Sequence, residues 1–130
     1  MAPSSEIRSG VRDGAYTPAR FAEDGFIHCA AGRETVIAVA YDYYATVAEP
    51  VMLLEIEPDR LHATWRFEPA APIESGGTAH LETAEEFPHI YGAVNLDAIS
   101  GIGTLGLGDG SFRWPTGFVE IEEFLRSRSD

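Results

Sequence analysis

Residues 25–57, GFIHCAAGRETVIAVAYDYYATVAEPVMLLEIE, carry the pattern that decides the fold. The run FIHC at 26–29 is short and apolar, follows a glycine turn, and predicts a buried strand. From Arg33 to Pro50 apolar residues recur at helical spacings, and the face they form is Val36, Ile37, Ala40, Tyr41, Tyr44 and Val47. The run VMLLEIE at 51–57 starts almost continuously apolar, which predicts a strand in the middle of a sheet.

The segments on the C-terminal side add strands and one more helix. Residues 63–68 alternate apolar and polar side chains, as a half-buried strand does. Residues 101–107 and 111–114 predict a hairpin around a Gly-Asp-Gly turn at 108–110. Residues 118–127 predict a short helix with an acidic outer face.

Two segments predict no regular structure. Residues 1–9 are small and polar, which predicts a poorly ordered end. Residues 69–86 are rich in Pro, Gly and acidic residues, which predicts a long loop that is functional or mobile. With no regular strand–helix–strand repeat, the sequence predicts a single compact α+β domain over residues 1–130, mostly antiparallel, with two to three helices.

Composition and charge narrow the function classes. The chain of 130 residues has 21 acidic and 9 basic residues, a formal charge of −12, and every basic residue is Arg. The absence of Lys excludes a Schiff-base lysine and a P-loop lysine. A field this negative repels nucleic acid and anionic membrane surfaces, so we expect neither as a partner. The expected partner is a small molecule, and the expected state is a monomer or a weak homodimer.

Localisation follows from what the sequence lacks. No apolar run approaches a membrane span, and residues 1–6 show no secretory pattern. The single cysteine, Cys29, excludes an internal disulfide and fits a reducing compartment. We therefore expect a cytoplasmic protein. Cys29 ends an apolar strand, where a buried, inert thiol is favoured over a nucleophile.

Two familiar motifs are not supported. Residues 101–106 match the G-x-G-x-x-G spacing, but another glycine turn follows at once instead of a helix, so a hairpin is favoured over a dinucleotide-binding loop. The four histidines and Cys29 do not fall at paired metal-ligand spacings, so no metal site is predicted.

Two histidines remain as candidates for catalysis. His28 lies at the end of a predicted strand beside the next helix and Arg33, where anionic groups bind readily; the alternative is a histidine satisfied within the core. His89 and Tyr91 are two residues apart and share one face of an extended segment, which suggests a pocket wall; the alternative is an exposed strand edge.

The blocks GFIHCA at 25–30, LLEIEPDRL at 53–61 and FPHIYG at 87–92, with Gly14-Ala-Tyr16 before them, together resemble the DUF952 family of small bacterial proteins. The resemblance implies a fold similar to the ADP-ribosyltransferase superfamily, with two small packed sheets and a cleft that takes NAD in active relatives. Family members begin with a strand and a helix, which the short polar segment before Gly14 does not predict.

These considerations predict a small cytoplasmic enzyme that acts on a small molecule, with NAD- or nucleotide-related glycosidic-bond chemistry implied by the resemblance. His28 or His89 would be the general acid or base, Tyr91 an oxyanion donor, and Glu68 an orienting or charge-stabilising carboxylate. The predicted substrate-binding residues are Arg33, Tyr16, Phe26 and Trp65. The alternatives are a non-catalytic binding relative and a biosynthetic cyclase, isomerase or hydrolase acting on a non-nucleotide substrate.

Overall fold

The computed structural model describes residues 1–69, 86–108 and 111–127. Its strands are β1 (Ala2–Pro3), β2 (Val11–Arg12), β3 (Ala15–Tyr16), β4 (Ile27–His28), β5 (Val51–Ile56), β6 (Trp65–Pro69), β7 (Glu86–Ile90), β8 (Val94–Asn95), β9 (Ile99–Gly108) and β10 (Ser111–Arg113). The helices are α1 (Ser4–Gly10), α2 (Phe21–Asp24), α3 (Arg33–Tyr44) and α4 (Ile121–Arg126), with 3-10 turns at Pro58–Arg60 and Leu96–Ala98.

A four-stranded antiparallel sheet, in the order β1-β5-β9-β10, forms the larger half of the fold. Strand β5 lies inside it, as its apolar start predicted. Val51 and Leu53 pack with Val36 and Ala40 of α3, while Met52 belongs to the core cluster on the other side. Because β5 is buried on both faces, its sequence reads as a continuous apolar run and not as an alternation.

Two three-stranded antiparallel sheets complete the molecule, in the orders β2-β3-β8 and β4-β7-β6. The α+β class and the antiparallel pairing are confirmed, but the described strands form three sheets where two packed sheets were expected. In the sheet β4-β7-β6, His28 lies opposite His89, and Ile27 lies opposite Ile90. This register places the two candidate histidines side by side, since directly paired residues share one face.

The prediction that residues 1–9 are poorly ordered is wrong. They form β1 and most of α1, with Ala2 only 2% exposed and Ile7 fully buried. Glu49 holds the start of α1, because its carboxylate accepts hydrogen bonds from the backbone N–H and the hydroxyl of Ser5. Two apolar side chains among small residues, Ala2 and Ile7, dock the segment on the main core cluster, and the chain does begin with a short strand and a helix.

Helix number and bounds also differ from the predictions. The described residues contain four α-helices instead of two to three, because α1 and α2 were not predicted. Helix α2 is a single turn that ends on Gly25 in the left-handed conformation (φ 81°). The C-terminal helix is confirmed but covers Ile121–Arg126 and not 118–127, because Val119 is extended and pairs with Ile102. The loop predicted over 69–86 falls, apart from its two end residues, outside the described residues.

The glycine-rich segment 101–106 lies within β9, so the hairpin interpretation is confirmed over the dinucleotide-binding one. A Cβ atom on Gly101 would lie 2.9 Å from Cβ of Phe118, and one on Gly103 would lie 2.8 Å from Cβ of Pro115. These glycines therefore let the C-terminal segment pack directly on the strand. In the described ranges, no helix combines the length and apolar character that a membrane crossing needs.

Candidate functional site

The centre of the candidate site is His89, in the middle strand β7 of the sheet β4-β7-β6. Its side chain is 3% exposed, and its Nδ1 lies 2.9 Å from Oε1 of Glu68 on the neighbouring strand β6. The hydroxyl of Tyr91, just beyond β7, donates a short hydrogen bond to the same carboxylate oxygen. Because an ionised carboxylate only accepts, Nδ1 of His89 carries the proton and Nε2 is the nitrogen outside this hydrogen bond.

A second histidine–carboxylate pair faces the first. Nε2 of His28 lies 3.1 Å from Oδ2 of Asp24, the last residue of α2. The rings of His28 and His89 are 5.7 Å apart between centroids. The Phe26 ring stacks on His89 at 4.1 Å and lies 4.6 Å from His28. The turn at Gly25, between α2 and β4, brings Asp24 back beside His28.

Hydrogen bonds and burial together set the ionisation of the site. The hydrogen bond from Tyr91, followed by that from His89, lowers the pKa of Glu68, so this carboxylate stays ionised. The same bond raises the pKa of Tyr91, which therefore remains a donor. Burial lowers the pKa of His28, and the Asp24 carboxylate offsets part of this effect. At neutral pH His28 is therefore a neutral imidazole that can accept a proton.

A cavity of about 610 Å³ lies at the edge strand β4. Its lining includes side chains from both faces of this strand, with Phe26 and His28 on one face and Ile27 and Cys29 on the other. His89 lines it as well. The volume falls within the range of pockets that hold a small organic molecule.

The structure brings together all four residues predicted as catalytic, in two layers. His28 and His89 line the cavity, whereas Glu68 and Tyr91 do not: Glu68 contacts His89, and Tyr91 contacts Glu68. Each position follows from the strand period, since Glu68, His89 and Tyr91 all point to one face of the sheet β4-β7-β6.

Three of the four residues predicted to bind substrate also line the cavity, namely Tyr16, Phe26 and Trp65. Arg33 does not. Its guanidinium lies 4.7 Å from the centre of the Trp114 ring, near the cluster that α3 forms with the four-stranded sheet. Arg33 therefore packs on Trp114 and not beside His28, where its position in the sequence had suggested it would lie.

Sequence reasoning missed Asp24, Arg66 and Tyr43. Asp24 is four residues before His28, a spacing that could have suggested the pair had α2 been predicted. Arg66 lies over the Tyr91 ring at 4.6 Å, and its Nε is 3.5 Å from Oε2 of Glu68. Its place two residues before Glu68 on an alternating strand was a usable signal. Tyr43 lines the cavity through α3, and no pattern distinguished it from its neighbours.

The residues in and around the cavity decide whether a metal ion or NAD could bind there. Within the described ranges, no three His, Cys, Asp or Glu side chains cluster as metal ligands. Burial raises the pKa of Cys29 to about 11, which agrees with an inert thiol. The NAD implied by the family resemblance does not fit the charges, because Arg20 is the only Arg among the described lining residues and lies 3.5 Å from Asp24 and 3.6 Å from Glu23.

Comparison with known proteins places the fold. Two crystal structures of Protein CC0527 from Caulobacter crescentus, one of a double mutant, superpose with a TM-score of 0.67, at 22% and 23% identity. The alignments cover 86% of this chain and 89% of the other, and at this identity they show the fold alone. No curated protein matches. A family model matches residues 1–102, well over half of the chain, and the chain therefore belongs to the family described as "Protein of unknown function (DUF952)".

Proposed function

We propose that the protein is an enzyme that uses His89 for general acid–base catalysis on a small molecule held in the cavity at β4. The observation that carries the proposal is the partly buried hydrogen bond of 2.9 Å between Nδ1 of His89 and Glu68, made by a buried imidazole that also lines the cavity. A carboxylate in this position fixes the ring and its tautomer and stabilises the imidazolium that forms when Nε2 takes a proton.

His28 is the second proton-transfer group in this proposal. Its ring lies 5.7 Å from that of His89, so one substrate could contact both. Two imidazoles at this separation support a reaction in which a proton leaves one atom and another proton reaches a second atom, as in isomerisation, cyclisation or elimination. Glycosidic-bond chemistry on NAD stays a prediction of the resemblance, and the charges of the cavity do not favour it.

The test is His89-dependent turnover. The purified protein is incubated with a metabolite extract, and the compounds consumed are identified by mass spectrometry. His89→Asn is the informative variant, since an Asn amide can still donate to Glu68 but cannot transfer a proton. His62→Asn is the matched control, because His62 does not line the cavity.

We expect a conversion that His62→Asn retains and His89→Asn lowers by about 10²–10⁴-fold, the usual contribution of a positioned acid or base. Glu68→Gln should lower it less, since Nε2 keeps its chemistry while its orientation weakens. A conversion unaffected by His89→Asn would contradict the proposal.

One observation favours a second candidate, a non-catalytic binding protein. Phe26 stacks on His89 at 4.1 Å, and only 3% of this histidine is exposed, so the pair with Glu68 could serve to hold the strands together. In that case a compound from the extract would be retained by the protein unchanged, and His89→Asn would bind it as the parent does.

A further inference from the structure

We infer that the cavity at β4 accepts an uncharged or cationic organic molecule that carries a flat apolar ring, and that it discriminates against phosphorylated ligands. The inference rests on the proposed function in taking this cavity as the working site. It goes further by naming the class of ligand, which neither the family nor the similar structures supply.

The first support is the aromatic character of the wall. Eight of the described lining residues are Phe, Tyr or Trp, and they come from β3, α2, the turn before β4, α3, β6 and β7. Aromatic rings provide rigid apolar area for a flat ligand, and their faces attract a cation. An apolar wall of this kind offers a phosphate no replacement for its hydration.

The second support is the balance of charge. The charged side chains among the described lining residues are Glu6, Arg20 and Asp24. Arg20 is already paired with two carboxylates, and the chain contains no Lys that could approach from elsewhere. These side chains carry one negative charge in excess, and burial lowers the pKa of the α-amino group of Met1, a residue that also lines the cavity, so this group adds little positive charge. The excess has the same sign as the formal charge of −12. A cation gains from this field, whereas a phosphate is repelled.

The third support is the Tyr43 hydroxyl, a buried hydrogen-bond donor in the wall of the cavity. Tyr43 lines the cavity, and its hydroxyl is buried with no hydrogen-bond partner among the residues that the structure describes. Burial raises the pKa of Tyr43, so the group stays protonated and can donate. A buried donor is normally satisfied, and a ligand acceptor would satisfy this one. The ligand thus combines a ring with a neutral acceptor.

One feature argues for the opposite ligand and defines the critical comparison. Ala30 and Ala31, which precede α3, line the cavity, and the N-terminal turn of α3 has no side-chain cap. Free backbone N–H groups at a helix start can bind phosphate. The carboxylates of the wall oppose such binding. Among the described lining residues the one Arg, Arg20, is already paired, and the Arg33 guanidinium at this helix start lies over Trp114.

The experiment uses the full chain and three probes that share a phenyl ring. They are phenyltrimethylammonium, benzyl alcohol and phenyl phosphate, and their dissociation constants are measured by calorimetry at low ionic strength. We expect the cation to bind at least about tenfold more tightly than phenyl phosphate, with benzyl alcohol between them. Asp24→Asn should weaken binding of the cation more than binding of benzyl alcohol.

A pair of variants places the binding in the cavity. Ala31→Trp adds bulk to an exposed residue of the wall, and Ala48→Trp adds the same bulk at an exposed residue that does not line it. We expect the first to abolish binding of the cation and the second to retain it. Tyr43→Phe should weaken benzyl alcohol more than phenyltrimethylammonium, since only the alcohol offers an acceptor oxygen.

The inference is overturned by any of three results. These are phenyl phosphate binding as tightly as the cation, none of the probes binding, or Ala31→Trp binding them as the parent does. Failure here is distinguishable from failure of the proposed function, because probe binding needs no turnover. In particular, His89→Asn should keep the order of the three affinities, so the ligand class and the proton-transfer role are tested independently.

Discussion

The four-stranded sheet and the sheet β4-β7-β6 differ in what their inner strands bury. In the first, the register sets β5 against β9 over six pairs, and side chains such as Ile102, 1% exposed, fill the core. In the second, the middle strand buries His89 beside a carboxylate, at 3% exposure. Burying a polar group is costly unless it is paired. Burial of His89 therefore stabilises the second sheet less than burial of an apolar side chain would, but it holds the imidazole in a defined position.

The strongest way to sharpen this comparison is to remove apolar volume from the larger sheet. Ile102→Ala should lower the free energy of unfolding by about 2–5 kcal/mol, because it removes most of a buried side chain and leaves a cavity in the main core cluster. Urea denaturation measures the change. A loss below about 1 kcal/mol, the usual value for an exposed site, would show that the larger sheet does not dominate the stability.

The corresponding change in the sheet β4-β7-β6 is His89→Ala. It should cost about 1–3 kcal/mol, since it removes a buried hydrogen-bonded group whose carboxylate partner can still reach water. His89→Asn should recover part of the loss by donating to Glu68. The two variants are compared with His62→Ala, expected near zero, in the same urea experiment. Equal stability of His89→Ala and the parent would break the comparison.

The third expected effect is a dependence of the free energy of unfolding on pH, caused by His28 in the sheet β4-β7-β6. Burial lowers the pKa of His28 in the folded state, so the unfolded chain binds a proton more readily. The free energy of unfolding therefore falls as pH drops below the unfolded value of about 6.5 and levels off below the folded pKa. Urea titrations between pH 8 and pH 5 should show this fall, and His28→Asn should reduce it. An unchanged profile would assign the dependence to other groups.

The smallest effect is expected for Tyr91→Phe. The variant removes one donor from Glu68, whose pKa should then rise toward its ordinary value because the hydrogen bond from Tyr91 is the main cause of the lowering. The melting temperature at neutral pH should stay close to that of the parent, while turnover falls by about tenfold, the scale of one lost hydrogen bond. A loss equal to that of His89→Asn would instead make Tyr91 a direct participant.

The comparison also explains what the sequence could predict. The continuous apolar run of β5, the helical period of α3 and the hairpin pattern of β9 and β10 identified most of the larger sheet, because burial imposes an apolar pattern that can be read locally. The pairing of His28 with His89 depends on the register of strands 61 residues apart, and only the family resemblance that their two blocks carry together suggested it. Asp24 and Arg33 were misjudged because their partners, His28 across a turn and Trp114 beyond β10, are set by tertiary packing.

The glycines of β9 bear on where this protein ends as a folding unit. The family model stops at residue 102, in the middle of β9. Yet Phe118 and Pro115 pack where Gly101 and Gly103 lack side chains, and Ile121 and Phe124 belong to the main core cluster. A polypeptide cut at the boundary of sequence similarity would lose half of a strand and part of its core. The packed core of this molecule therefore extends to α4, beyond the residues that the family model matches.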